Sequence, residues 1–173
     1  MSAARLSQKL KPFGPVALVT GASDGIGRAT SAALAEAGFD LLLVARRKDV
    51  LTALAADLSK AHGVQADVFV ADLGVAGEVD ALAHASKDLD IGTAVLAAGF
   101  GTSGPLLSAD IETERDMIRV NCEAVLQLSQ VLGQRMVQRT SGQLVLFGSL
   151  VGFQGAASAA NYSATKAYVF HPG

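Results

Sequence analysis

Two hydrophobic periods alternate along this chain. Short runs that are apolar at nearly every position recur at residues 15–20 (PVALVT), 39–45 (FDLLLVA), 64–71, 91–98 and 142–147 (GQLVLF). Runs of that length and composition predict strands buried on both faces. Between them lie segments whose apolar residues return every three or four positions, as along one face of a helix. Residues 28–37 are small helix formers, and Lys48–His62 repeats Leu51, Leu54, Ala55 and Leu58 before Gly63, a helix terminator. Residues 75–88 carry Val79, Leu82 and Ala83 on one face. The longest pattern spans 110–139, with Met117, Val120, Ala124, Val125, Leu128 and Leu132 as its stripe. A small-residue loop at 149–160 then leads to a last helical start at Tyr162.

Strict alternation of strand and helix predicts an α/β fold, a parallel sheet with right-handed crossovers and helices on both faces. This is the three-layer, doubly wound Rossmann arrangement, with five strands expected in the order 3-2-1-4-5. Residues 15–173 read as its domain and 1–14 as an N-terminal extension. No repeat, low-complexity tract or linker interrupts it.

The stretch Thr20-Gly21-Ala22-Ser23-Asp24-Gly25-Ile26-Gly27 joins the first strand to the first helix. Glycine lets the backbone turn tightly and approach an anion, and a helix beginning there aims its positive end at the same place. Gly21, Ser23, Asp24, Gly25, Ile26 and Gly27 are therefore candidate contacts for a pyrophosphate. The same glycines also suit a bare strand-to-helix connection. Dinucleotide sites of this fold carry an acid at the end of the second strand to hold ribose hydroxyls, or a base to accept a 2′-phosphate. Here Ala45 is followed by Arg46 and Arg47. Guanidinium forks match phosphate oxygens, so NADP(H) is the expected cofactor, with NAD(H) left open and Arg46 as the main contact. Two arginines at that place also suit the solvated start of a helix.

Composition narrows the partners. The chain has 173 residues, half of them hydrophobic, and a net charge of −2. Without a basic excess, a nucleic acid or an anionic membrane has no electrostatic attraction to it, and a small solute is expected instead. Its single cysteine, Cys122, cannot form an internal disulfide, which fits a reducing compartment. No signal peptide or membrane span is read, so a soluble cytoplasmic protein is expected, with no metal site.

Tyr162 and Lys166 are four apart, so on a helix they project from one face. An ammonium beside a phenol favours the phenolate, which makes the pair suited to proton exchange with a carbonyl or alcohol oxygen. Ser149 follows the fifth strand, where a hydroxyl can donate to that oxygen or simply make a turn. Asn121 interrupts the apolar stripe of the longest helix; it either serves a site or satisfies a neighbouring backbone group.

Taken together, TGxxxGIG at 20–27 and Asn121, Ser149, Tyr162 and Lys166 in this order resemble the short-chain dehydrogenases/reductases over about residues 15–166. The resemblance implies carbonyl–alcohol interconversion by hydride transfer. Tyr162 would be the acid/base, Ser149 would steady the substrate oxygen, Lys166 would hold the nicotinamide ribose and support the phenolate, and Asn121 would anchor a water. Asn121, Tyr162 and Lys166 would also touch the cofactor. Asp72 and Leu73 resemble the family's adenine-contacting pair, although Asp72 also suits a helix cap. Ala98-Gly99 matches the end of the family's Asn-Asn-Ala-Gly segment, with Leu96 and Ala97 replacing both asparagines.

Family members usually continue well past this point and are commonly homo-oligomers, so the domain is expected to be C-terminally incomplete at His171-Pro172-Gly173. The resemblance leaves the substrate open among small carbonyl and alcohol compounds. It also implies that this chain alone is a poor catalyst, with a short last helix and an uncovered strand at 142–147. A cofactor-binding or interaction module without turnover is the alternative.

Overall fold

A computed structural model of the chain describes residues 11–170. Residues 1–10 of the expected extension, and the closing His171-Pro172-Gly173, lie outside the described residues. Five strands pair in parallel in the order β3-β2-β1-β4-β5: β1 (Val16–Thr20), β2 (Asp40–Ala45), β3 (Ala66–Val70), β4 (Ile91–Leu96) and β5 (Gln143–Leu146). The register runs from Val16 opposite Asp40 to Thr20 opposite Val44, and from Ala17 opposite Thr93 to Thr20 opposite Leu96. Strand ends differ from the hydrophobic runs by one or two residues, because apolar character continues past the last ladder hydrogen bond.

Side chains on a strand alternate between faces, so a continuously apolar strand feeds two cores. Ala17, Val19, Leu41 and Leu43 join one cluster; Leu18, Leu42 and Val44 join the other. On the first face lie α1 (Gly25–Glu36) and α2 (Lys48–His62), with Leu34, Leu51, Leu54 and Leu58 buried. On the second lie α3 (Ala76–Ala85) and α5 (Ala124–Gln138), with Val79, Leu82, Leu128 and Leu132. Burial on both faces, expected of all five strands, fails at the edges: among the described residues β3 pairs only with β2 and β5 only with β4, so both are partly exposed, Leu144 at 37 %.

Helical boundaries depart from the sequence pattern in several places, including α3, which ends at Ala85 rather than at residue 88. α1 begins at Gly25 rather than Arg28, because the Asp24 side chain accepts from the Gly25 N–H at 2.8 Å and caps it there. The long pattern divides into α4 (Ile111–Ile118), a π-helical turn at Arg119–Glu123, and α5. That wider turn shifts the stripe: Asn121 becomes buried, while Val120, expected in the core, is only half-buried. The last helix, α6 (Ala160–Phe170), starts two residues before Tyr162 and spans eleven residues. Gly63, at φ +70°, ends α2 as expected.

Candidate active site

All five strands are parallel, so their C-terminal ends lie along one edge of the sheet and the following loops gather there. A cleft of about 620 Å³ opens among these loops. Gly21, Ser23, Asp24, Gly25, Ile26, Gly27, Arg46, Arg47, Asp72, Leu73, Ala98 and Gly99 all line it, together with Phe100 and Val120.

Backbone packing explains the glycines. Gly21 has φ +67°, and a Cβ on it would lie 2.9 Å from the carbonyl oxygen of Ala97. A Cβ on Gly27 would lie 2.4 Å from the carbonyl oxygen of Gly21. The loop therefore folds back on the end of β1 with no room for a side chain at Gly21 or Gly27. Thr20 locks it to the next loop, its Oγ1 accepting from the Ala98 N–H at 3.0 Å. Asp24 takes the Gly25 N–H, while the N–H groups of Ile26 and Gly27 have no backbone partner among the described residues. Two donors free at the mouth of a helix, beside a cleft, fit an anionic group such as a pyrophosphate.

The arginines differ in what they hold. Arg47 reaches back over the glycine loop, donating to the Ser23 carbonyl at 3.1 Å, the Ser23 hydroxyl at 3.2 Å and the Asp24 carboxylate at 3.2 Å. The Gly25 N–H first and Arg47 second hold the Asp24 carboxyl below its usual range. Arg46 is 75 % exposed in its side chain and faces Asp72 at 3.6 Å. Asp72 is not the cap of α3, whose N-cap is Val75; its Oδ1 accepts from the Gly74 N–H at 2.9 Å and its own N–H donates to Glu78 at 2.6 Å. Both arginines thus flank the wall where an adenine ribose would lie in this fold.

The four candidate catalytic residues lie past the Gly99–Phe100 end of the cleft. Asn121, 1 % exposed, clamps the backbone of Phe100: its Oδ1 accepts from the N–H at 3.1 Å and its Nδ2 donates to the carbonyl at 2.8 Å. The same Nδ2 donates to Thr165 Oγ1 at 3.1 Å, and that hydroxyl donates to the Tyr162 carbonyl at 2.8 Å. Lys166 Nζ lies 5.8 Å from the centre of the Tyr162 ring and donates to the Phe147 carbonyl at 2.9 Å. Burial pushes the pKa of Lys166 below that of an ordinary lysine, against a smaller opposing influence of Cys122.

None of the four lines the cleft itself, but two glycines of the loop after β4 pack directly against three of them. A Cβ on Gly99 would lie 2.9 Å from Asn121 Oδ1 and 3.8 Å from Lys166 Nζ, and one on Gly101 would lie 2.8 Å from the Tyr162 ring. Ser149 is half-buried and extended, between Phe147, which bonds Lys166, and Gly152, whose Cβ would meet the Lys166 backbone at 2.8 Å. The hydroxyls of Ser149 and Tyr162 make no hydrogen bond among the described residues, so both are available to a ligand. Sequence reading missed Thr20, Phe100 and Thr165. Thr165, a buried hydroxyl three residues after Tyr162, had a signal only in its helical spacing.

A family model described as "short chain dehydrogenase" matches residues 15–171. The chain is 36 % identical over 170 residues to a very-long-chain 3-oxoacyl-CoA reductase of Ajellomyces capsulatus, covering 94 % of this chain and 50 % of that protein. Among solved structures it is similar to a short-chain dehydrogenase from Sphingobium yanoikuyae in complex with NADPH, with a TM-score of 0.86 and 37 % identity over 90 % of this chain and 61 % of that one. A bulky-bulky ketone specific alcohol dehydrogenase from Comamonas testosteroni gives a TM-score of 0.86 and 33 % identity, over 90 % and 63 % of the two chains. The chain thus spans about half the length of the curated relatives it matches first.

Proposed function

The chain belongs to the short-chain dehydrogenase/reductase family, and we propose that it interconverts a carbonyl and an alcohol with NADP(H), Tyr162 passing the proton. The observation that carries this reading is the Lys166 ammonium beside the Tyr162 ring, next to the cleft floor at Gly99, with the phenol hydroxyl free. When bound, the dinucleotide supplies or accepts a hydride. In the reducing direction Tyr162 Oη gives its proton to the substrate oxygen, and it takes the proton back in the other direction. The Ser149 hydroxyl donates to that same oxygen and holds it as negative charge develops. Lys166 keeps a positive charge beside the phenol ring. Asn121 has both amide hydrogens committed to Phe100 and Thr165, which leaves the second lone pair of its Oδ1 to accept from a water. Cys122 is a free thiol, in keeping with a reducing, cytoplasmic setting.

Preference for NADP(H) rests on Arg46 and Arg47, the lack of an acid at Ala45, and the NADPH bound by the similar Sphingobium enzyme. The two arginines should separate on substitution. Arg46→Ala removes a charge-assisted contact and should weaken NADPH by about 1.5–3 kcal/mol with NADH nearly unchanged. Arg47→Ala also releases Ser23 and Asp24 from the glycine loop, so it should weaken both cofactors. Calorimetric titration with each nucleotide decides this; equal losses for both in the Arg46 variant would remove its 2′-phosphate role.

A second reading, a cofactor-binding module without turnover, is favoured by the apolar surface next to the reacting residues. Leu144, Leu150 and Phe153 are all exposed. A panel of carbonyl compounds with NADPH oxidation followed by absorbance separates the two: binding without oxidation of NADPH supports the module.

A further inference from the structure

Glu114 is a charged side chain only 7 % exposed, two turns before Asn121 on the same helical run. Among the described residues no cation forms an ion pair with it. Its charge is held by hydrogen bonds. One carboxylate oxygen accepts from the Thr102 hydroxyl at 2.7 Å and the other from the Asn161 amide at 2.7 Å; that amide also donates to the Glu114 carbonyl at 3.1 Å. Burying a carboxylate is costly, and an apolar residue would fill the place of a tie that only joined helices.

The pattern of partners gives the cost a use. Asn121 holds Phe100 on the loop after β4 and Thr165 on α6; Glu114 holds Thr102 on that loop and Asn161 on α6. The two ties bracket Gly101, the residue against which the Tyr162 ring packs. On α6 they take Asn161 and Thr165, a four-residue pair one position before Tyr162 and Lys166. We infer that Glu114 is a positioning residue for Tyr162: with Asn121, it fixes the loop and the helix that together hold the phenol ring. This rests on Tyr162 being the acid of the proposed reaction.

Glutamine can keep both bonds, its carbonyl accepting from Asn161 and its amide donating to a turned Thr102 hydroxyl, so Glu114→Gln removes the charge and keeps the geometry. Alanine keeps neither. Because a misplacement near 1 Å is enough to slow an aligned reaction ~100-fold, Glu114→Ala should lower kcat ~10- to 100-fold while NADPH affinity stays within about twofold, and Glu114→Gln should recover kcat to within about threefold. A parallel loss of NADPH affinity, or a glutamine variant as slow as alanine, overturns the inference.

A second readout does not need turnover. The chain has two tyrosines, Tyr162 and Tyr168, so 3-fluorotyrosine in a Tyr168→Phe background reports Tyr162 alone by ¹⁹F NMR. The parent and Glu114→Gln should each give one narrow line; Glu114→Ala and Asn161→Ala should give a broadened or divided one. Unchanged lines in the alanine variants overturn the positioning role. Should Glu114→Ala fail to fold, Thr102→Val and Asn161→Ala each remove one partner, and parent-like lines in both overturn it equally. A parent that binds NADPH but reduces no carbonyl counts against the proposed reaction, while the ¹⁹F lines still decide the role of Glu114.

Discussion

Tyr162→Phe should lower kcat for carbonyl reduction by ~10³-fold while NADPH affinity stays within about twofold, since general acid–base groups contribute ~10²–10⁴. The phenol ring packs on Gly101 and its carbonyl accepts from Thr165, and phenylalanine preserves both. Only the proton at Oη is lost, so the effect belongs to the chemical step. Lys166→Ala should damage binding and turnover together, because Nζ lies beside both the ring and the Gly99 end of the cleft. The pH dependence follows with a definite sign. Burial favours the neutral amine, so the Lys166 ammonium is lost at lower pH than that of an exposed lysine. Turnover that needs the ammonium should fall on the alkaline side, and Lys166→Arg, which stays charged, should move that fall to higher pH. A phenylalanine variant with parent turnover would remove Tyr162 from the proton step.

How far this site could be read in advance depended on what kind of interaction each residue makes. The inner strands were legible because burial on both faces leaves few polar positions, as in Leu41 to Val44 of β2, whereas the edge strands β3 and β5 are only partly buried. The glycine loop was legible because backbone contact at Gly21 and Gly27 admits one residue type. Asn121 announced itself by interrupting an apolar stripe, yet the π turn that buries it left no periodic trace. It shifts five residues within a pattern that otherwise continues. Arg46 and Arg47 are adjacent, and the sequence could not tell which bends over the glycine loop; that depends on where Ser23 and Asp24 stand. Thr20 and Glu114 were invisible for a related reason. Their value lies in partners 78 residues away for Thr20, and 12 and 47 residues away for Glu114.

Gly27→Ala should abolish measurable NADPH binding and lower stability, although alanine is the better helix former. In an exposed helix interior the exchange stabilises by about 1 kcal/mol. At Gly27 the added methyl would stand 2.4 Å from the Gly21 carbonyl oxygen, 2.7 Å from its carbon and 3.0 Å from the Thr20 carbonyl oxygen. All three are backbone atoms at the end of the central strand β1, and Thr20 also holds Ala98 of the next loop, so no flexible side chain can yield. Relief requires the start of α1 to move off the strand, at a cost of about 1–3 kcal/mol for overpacking, and the free N–H groups of Ile26 and Gly27 move with it. Gly77 in α3 is the internal control. It has open space around it and no positive φ, so Gly77→Ala should stabilise by about 0.4–1 kcal/mol and leave NADPH binding unchanged. Urea unfolding midpoints and NADPH titrations of the two variants test the contrast. If Gly27→Ala binds NADPH like the parent, the close approach of α1 to β1 is not what shapes the anion site.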